Sequence, residues 1–492
     1  MTTHKGRPNF APRYSVADFF CGCGGLSLGF SLTGRFDVVL GTDIKPDAIT
    51  TFAKNHAKDV VVPIAIQDDI RVLGERRVID ALSHHQLSRV GDLDCLIGGP
   101  PCEGFSQNRS LGAGGKAGSG AASRVDKFID DPRNHLFKWF VELAAKLQPA
   151  VLLIENVPDL VRHKDGATRH EILEALANAG YVVSVRVLNA ADFGVPQMRR
   201  RAFFLGQRRT DLERTGIRLS LPTPTHKPYI FTHDDLDGRE DWLPGDSGYW
   251  TTVREALDDL PSPAKDDDFD HSAASYRPAR LTSLRRFLRT SDGSVPFNHI
   301  ERKLGKQGLM RVQSLKAGQR VTELPEALRP KSSFHYSYSR LRWSEPARTI
   351  TKFVYHVGSG MFTHPELDRA LTMREAARLQ TFPDDFRFHS TSIRDTSALI
   401  GSAVPPLLAQ AIGREVVQYL DQLRYFNLEP EYRAVVRSQP TDAVLKRLEK
   451  ERWGTDRSES QLGLAIGARS AINPSQAEDD ESSFAIEDGA NE

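Results

Sequence analysis

Between residues 15 and 210 the chain alternates apolar runs of strand length with runs of helix length, and this limits the fold more than any other feature. The strand-like runs are Ser15–Phe20, Asp37–Thr42, Val60–Ile66, Leu93–Ile97, Ala150–Glu155, Tyr181–Val187 and Arg201–Leu205. Between them lie helix-like runs at Pro46–Asn55, Glu75–Leu87, His135–Leu147 and His170–Ala179. In the last, Ile172, Leu173, Leu176 and Ala177 share one face. Strands that alternate with helices predict an α/β fold with a parallel, doubly wound sheet. From Gln207 to Phe362 the alternation gives way to a Pro-rich, loop-rich segment, which reads as a smaller inserted domain. Regularity returns after it. The expected organisation is a tail (1–14), a main domain (15–208), the insertion (209–362), a return to the main domain (363–438) and a polar, acidic tail (439–492), partly disordered.

The composition, 39% hydrophobic and 26% charged, is that of an ordinary soluble globular protein. No apolar run approaches membrane-spanning length, and Met1–Arg13 lacks the apolar core of an export signal, so a cytoplasmic protein is expected. Cys21, Cys23, Cys95 and Cys102 have the spacing of neither a disulfide framework nor a paired zinc site. Free thiols in a reducing compartment, and no metal, follow. The net charge is only +1, but it is unevenly spread. Ser475–Glu492 holds seven acids and no base, whereas Arg277–Arg320 holds eleven Lys and Arg against Asp292 and Glu301. A stretch that basic is either a solvated face or a nucleic-acid footprint.

Several segments then combine residue types that a plain core does not need. Leu93–Ile97 runs into Gly98-Gly99-Pro100-Pro101-Cys102-Glu103-Gly104-Phe105-Ser106, where the prolines must stop a strand. Cys102 therefore sits just past a strand end, where open α/β sheets hold ligands. The polar, glycine-rich run Gln107–Arg124 follows it, a loop suited to exposing a nucleophile. A buried structural cysteine is the other reading. The first strand enters Phe20-Cys21-Gly22-Cys23-Gly24-Gly25-Leu26, a turn that lets a nucleotide approach the backbone at a helix start. It fails the dinucleotide fingerprint, because Ser27 holds the third glycine position, so nicotinamide binding is disfavoured. Asp43 ends the second strand and is either a ribose ligand or a helix N-terminal acid. Glu155 ends a nearly all-apolar strand, a conflict between pattern and burial of the kind functional sites carry. Burial raises a carboxyl pKa and suits it to share a proton with a ring nitrogen; capping a neighbouring loop is the alternative. In Gln197-Met198-Arg199-Arg200-Arg201, strand alternation sends Arg199 and Arg201 to one face and Arg200 to the other.

In their order these segments resemble the DNA cytosine-5 methyltransferases of bacterial type. Pro100-Pro101-Cys102 with Gly104-Phe105-Ser106 is similar to the family's nucleophile motif, Glu155-Asn156-Val157 to its second catalytic motif, and Gln197, Arg199 and Arg201 to its arginine motif. Tyr338–Thr351 looks like the end of a target-recognition domain, while Arg369–Pro383 and Leu399–Pro406 look like the closing motifs. Two positions depart from the pattern: Glu103 stands where glutamine is usual, and Ser402 where asparagine is usual.

The resemblance implies a Rossmann-like methyltransferase sheet with an inserted target-recognition domain. It implies S-adenosyl-L-methionine in a pocket of Phe20, Gly22, Gly24, Gly25, Leu26, Asp43, Ile44, Asp69, Ile70, Pro101, Ser402 and Val404, with Asp69 accepting from the adenine amine. Catalysis falls to Cys102, Glu155, Asn156, Arg199 and Arg201. Contact with double-stranded DNA falls to Ser106 and Arg199, with the basic Arg285, Arg286 and Arg289 expected on phosphates. The implied reaction moves a methyl group to C5 of a flipped-out cytosine in a specific duplex sequence, with Cys102 attacking C6. A monomer is expected. So is a modification role beside a restriction endonuclease that shares the site without a stable complex. Two rivals remain: an RNA cytosine-5 methyltransferase of the same fold, and a non-catalytic DNA-binding relative. The second predicts loss of Cys102, Glu155 or Arg201, and all three are present.

Overall fold

The structure, a computed structural model, describes residues 11–101, 136–229, 243–265, 275–289, 296–331, 333 and 335–428. Cys102, Ser106, the loop that follows them and the acidic tail lie outside the described residues.

All seven expected strands form, as β1 (Tyr14–Phe19), β2 (Phe36–Asp43), β3 (Ile64–Gln67), β4 (Cys95–Gly98), β5 (Val151–Asn156), β6 (Tyr181–Asn189) and β7 (Arg200–Arg208). They make one sheet in the order β3-β2-β1-β4-β5-β7-β6. The first five are mutually parallel, while β7 runs antiparallel to both β5 and β6. The sequence pattern does not separate these cases. The cause is the connection from β6 to β7, residues 190–199, which is too short for the helical crossover that a parallel pair needs. β3 is shorter than the apolar run Val60–Ile66 suggests, and Val60 and Val62 are exposed.

Strand alternation divides the core in two. Val16, Val38, Ile97, Val151, Leu153 and Phe203 face one side of the sheet; Ala17, Phe19, Leu40, Leu96, Leu152 and Phe204 face the other. The first side is covered by α1 (Gly25–Ser31) and α8 (Pro406–Leu428). The second is covered by α3 (Glu75–Ser83), α4 (Leu136–Leu147) and α5 (Ala167–Asn178), and α2 (Pro46–His56) follows β2. So the last described helix lies on the first. Gly29 permits this, since a Cβ there would stand 2.3 Å from the Ala409 Cβ and 2.6 Å from the Pro406 carbonyl.

The helices α7 (Ile393–Ser402) and α8 together are long and apolar enough to cross a membrane, contrary to the reading of the sequence. In the fold, 67% of that window is buried inside the protein, which marks a core element.

Among the described residues between Arg208 and Thr372 no strand is named, and the helices are short. Beside an apolar cluster that includes Val253, Leu257, Leu288, Leu341 and Ile350, this region holds buried charge. Helix α6 (Met373–Leu379) starts with a complete capping box between Thr372 and Glu375. Its Arg378 is fully buried and joins Asp384 (2.8 and 2.5 Å) to Asp259 (2.5 Å) and the Ala256 carbonyl. Arg374 spends its donors on the carbonyls of Phe297, Pro383 and Phe386.

Candidate active site

The strand order switches between β1 and β4, and at such a point the strand ends leave a crevice. A cleft of ≈ 1380 Å³ opens there, over the C-terminal ends of β1, β2, β4 and β5. It is lined by Phe20, Gly22, Gly25, Leu26, Asp43, Ile44, Asp69, Ile70, Ser402 and Val404, and also by Pro101, Glu155, Asn156, Arg199 and Arg201. Two sets of residues far apart in sequence thus face one space.

Glu155 is the last residue but one of β5. Its Oε1 lies 3.0 Å from the Arg201 Nε, on the antiparallel neighbour β7. Burial pushes the Glu155 carboxyl upward, opposed by the positive charge of Arg201 and Arg199. The same burial pushes the Arg201 guanidinium downward, opposed by Glu155. Glu155 also stands against the strand that leads to Cys102: a Cβ on Gly99 would be 3.1 Å from its Oε2. The next residue, Asn156, donates from Nδ2 to the Pro100 carbonyl at 3.1 Å and accepts the Val157 amide on Oδ1. It fixes the backbone two residues before Cys102.

Arg199 is a first correction. It is fully buried and donates to the carbonyls of Ile350 (3.0 Å) and Gly401 (2.9 Å). Its guanidinium is held well below its ordinary pKa by burial and by the charge of Arg201. A group committed to two carbonyls inside the protein is not placed for a DNA phosphate. Beside it, Gln197 donates to Gln380 Oε1 and the Leu379 carbonyl and accepts the Ile350 amide. The arginine motif therefore bolts β7 to both closing segments. Arg200, on the opposite face as alternation requires, is exposed.

On the nucleotide side, Asp43 accepts the amides of Gly22 (3.0 Å) and Lys45 (2.9 Å), and burial raises its pKa. Each carboxylate oxygen keeps lone pairs for a further donor. Ile44, beside it, is 58% exposed, an apolar surface offered to the cleft. Asp69 is bound to Arg71, whose Nε lies 3.0 and 2.9 Å from its two oxygens, and this lowers its pKa. An adenine amine would have to share it. Gly24 does not line the cleft. At φ +93° it starts α1, and a Cβ would press on Phe52 at 3.0 Å.

The sequence reading missed Asp18. It reads as an ordinary strand residue, yet its Oδ2 is buried without a partner at the cleft wall, and burial raises its pKa to about 7. An orphaned carboxylate oxygen beside a glycine turn fits the ammonium of an amino-acid moiety. The exposed Ile44 fits a base and Asp43 a ribose diol, so the residues suit S-adenosyl-L-methionine. The run Thr349–Phe353, which forms the opposite wall, was missed as well, since nothing in its composition marks it.

The basic helix is a second correction. Leu284, Arg285 and Leu288 face inward from the helix Ser283–Leu288. Arg285 is 1% exposed, ion-paired to Asp258 and bonded to the carbonyls of Glu255, Arg280 and Arg254. Arg289 pairs with Asp259 at 2.7 Å and stacks on Tyr276. Only Arg286 remains exposed, so the expected row of phosphate contacts is instead internal wiring.

Residues 14–418 match the model of the C-5 cytosine-specific DNA methylases. The chain belongs to this family. It is a DNA cytosine-5 methyltransferase that uses S-adenosyl-L-methionine. Among its relatives, the type II methyltransferase M1.HphI of Haemophilus parahaemolyticus is 34% identical over 82% of this chain and 86% of its own. M.XorII of Xanthomonas oryzae pv. oryzae is 31% identical over 82% and 84%. A solved DNA modification methyltransferase encoded within an E. coli prophage covers 83% of the methylase and 99% of its own chain, at 25% identity and a TM-score of 0.59.

Proposed function

We propose that this methylase modifies one short duplex sequence, with Cys102 as nucleophile and the Glu155–Arg201 pair as the site that holds the cytosine ring. Cytosine C5 is a poor nucleophile until a thiolate adds at C6 and turns the ring into an enamine. Glu155 meets the N3 edge and stabilises the charge that develops there, and Arg201 holds O2. Asn156 keeps the Pro100-Pro101 approach to Cys102 fixed. S-adenosyl-L-methionine would supply an electrophilic methyl group when bound; Asp18 would hold its amino-acid end, Asp43 its ribose and Ile44 its base. Transfer of the methyl group to C5 would leave S-adenosyl-L-homocysteine; a solvent water takes the C5 proton, and the C5–H electron pair re-forms the C5–C6 double bond as the C6–sulfur bond breaks, which restores the ring and the thiolate. The target base must leave the stack, at a cost of a few kcal/mol.

The observation that carries this reading is the buried carboxylate–guanidinium pair against the backbone that leads to Cys102. Residues 209–362 act as the target-recognition domain, and the type II relatives support a modification role beside a restriction endonuclease. Monomeric action is the simplest form of the proposal. The test is direct: duplex DNA is incubated with S-adenosyl-L-methionine and wild-type or Cys102→Ala enzyme, then digested to nucleosides. 5-Methyl-2′-deoxycytidine from the wild type alone supports the assignment; equal amounts from both overturn it.

A further inference from the structure

Several arginines of the inserted region are matched with acids: Arg285 pairs with Asp258, Arg289 with Asp259 and Arg340 with Asp368. Arg320 and Arg348 are placed differently. Their guanidinium carbons stand 5.3 and 4.9 Å from the centre of one ring, that of Tyr336. Among the described residues neither has a carboxylate partner. Arg320 has one further contact, to the ring of His335, which itself packs edge-on against Tyr336 at 4.7 Å. Two like charges on one aromatic ring repel each other, and an anion bound between them would relieve that repulsion.

The platform is built rather than incidental. Ser337 donates to the Gly358 carbonyl at 2.7 Å, and the Tyr338 amide donates to the Val357 carbonyl at 2.7 Å, which pins the turn that carries Tyr336. The ring packs on the buried cluster of the inserted region. A stacked guanidinium still presents N–H groups at its edge to a two-pronged acceptor such as a phosphate. Position decides what that acceptor is. Arg348 directly precedes Thr349, Ile350 and Thr351, which line the catalytic cleft. The segment is clamped there: the Met198 amide donates to the Ala347 carbonyl at 2.8 Å, the Thr349 hydroxyl to the Met198 carbonyl at 2.9 Å, and Arg199 to the Ile350 carbonyl. Arg348 is thus fixed one residue from the wall of the catalytic cleft.

We infer that Arg320 and Arg348, stacked on Tyr336, form a phosphate seat that holds the DNA backbone next to the flipped nucleotide. The inference rests on the family's DNA substrate and deepens it. These two residues take the role that Arg285 and Arg289 cannot fill.

The experiment is a salt titration of DNA binding, read by the anisotropy of a fluorescein-labelled mixed-sequence duplex. Each phosphate contact adds about 0.9 to the log–log slope, so Arg320→Gln/Arg348→Gln should flatten it by up to about 1.8. The Arg320→Lys/Arg348→Lys variant keeps the charges and should keep the slope. An unchanged slope in the glutamine variant overturns the proposal. So does a loss confined to one DNA sequence at unchanged slope, which assigns the pair to base reading. Each single variant should lose about 0.9, which keeps the test open if the double variant melts early. Methyl transfer by the wild type to bacteriophage DNA is measured alongside. Its absence would count against the enzymatic reading, whereas its presence with an unchanged slope counts against the phosphate seat alone.

Discussion

The Glu155 carboxylate meets the Arg201 guanidinium at 3.0 Å across neighbouring strands, and both face the cleft that also receives the glycine turn after β1. A carboxyl raised by burial and restrained by an adjacent cation holds a proton at higher pH than an exposed one, without losing its place. That is the property a group needs to serve a ring nitrogen whose charge changes during the reaction.

Glu155→Gln is accordingly expected to lower the rate of methyl transfer by about 10²-fold or more, the usual worth of a positioned acid. The amide can still accept from the Arg201 Nε, so thermal stability should change little. In the wild type the protonated form is lost as pH rises through the raised pKa, so the rate should acquire a falling limb there. In single-turnover assays the glutamine variant should lack that limb.

Arg285→Met should act on stability and not on DNA. It strands three carbonyls and Asp258, and breaking a fully buried pair costs about 3–5 kcal/mol. Asp258 is 26% exposed, so about 2 kcal/mol is expected. Denaturant melts should show the loss, while the salt slope of DNA binding stays at the wild-type value. A flattened slope would restore Arg285 as a phosphate ligand.

Asp18 couples pH to stability and to the cofactor. Its folded pKa, about 7, lies above the ordinary 3.8, so the folded state holds the proton more tightly than the unfolded one. The resulting stability is fully present below pH 3.8 and is lost as pH rises to 7. A shift of that size is worth at most about 4 kcal/mol. Asp18→Asn should therefore melt higher than the cofactor-free wild type at pH 8, and by less at pH 5. The same variant should bind S-adenosyl-L-methionine at least tenfold more weakly in calorimetry. Unchanged affinity would remove Asp18 from the pocket.

Much of this was legible in the sequence, for local reasons. β2, β4 and β7 end on an aspartate, a glycine and an arginine, and the run Gly98–Pro101 marks the end of β4 by backbone chemistry alone. Alternation correctly separated Arg200 from Arg199 and Arg201. What could not be read depends on distant partners. Arg199 and Arg285 look like surface cations until the carbonyls they bind, up to 202 residues away, are folded around them. Asp18 looks like any polar residue in a strand until its buried oxygen is found without a donor. The reversal of β7 follows from the length of one connection, which hydrophobic patterning does not record.

The most direct test of the central claim is bisulfite sequencing of a plasmid carried by cells that express the methylase. The account predicts protected cytosines at one position of one short recurring sequence with the wild type, and none with Cys102→Ala. No protection by the wild type, or the same protection by both, would contradict it.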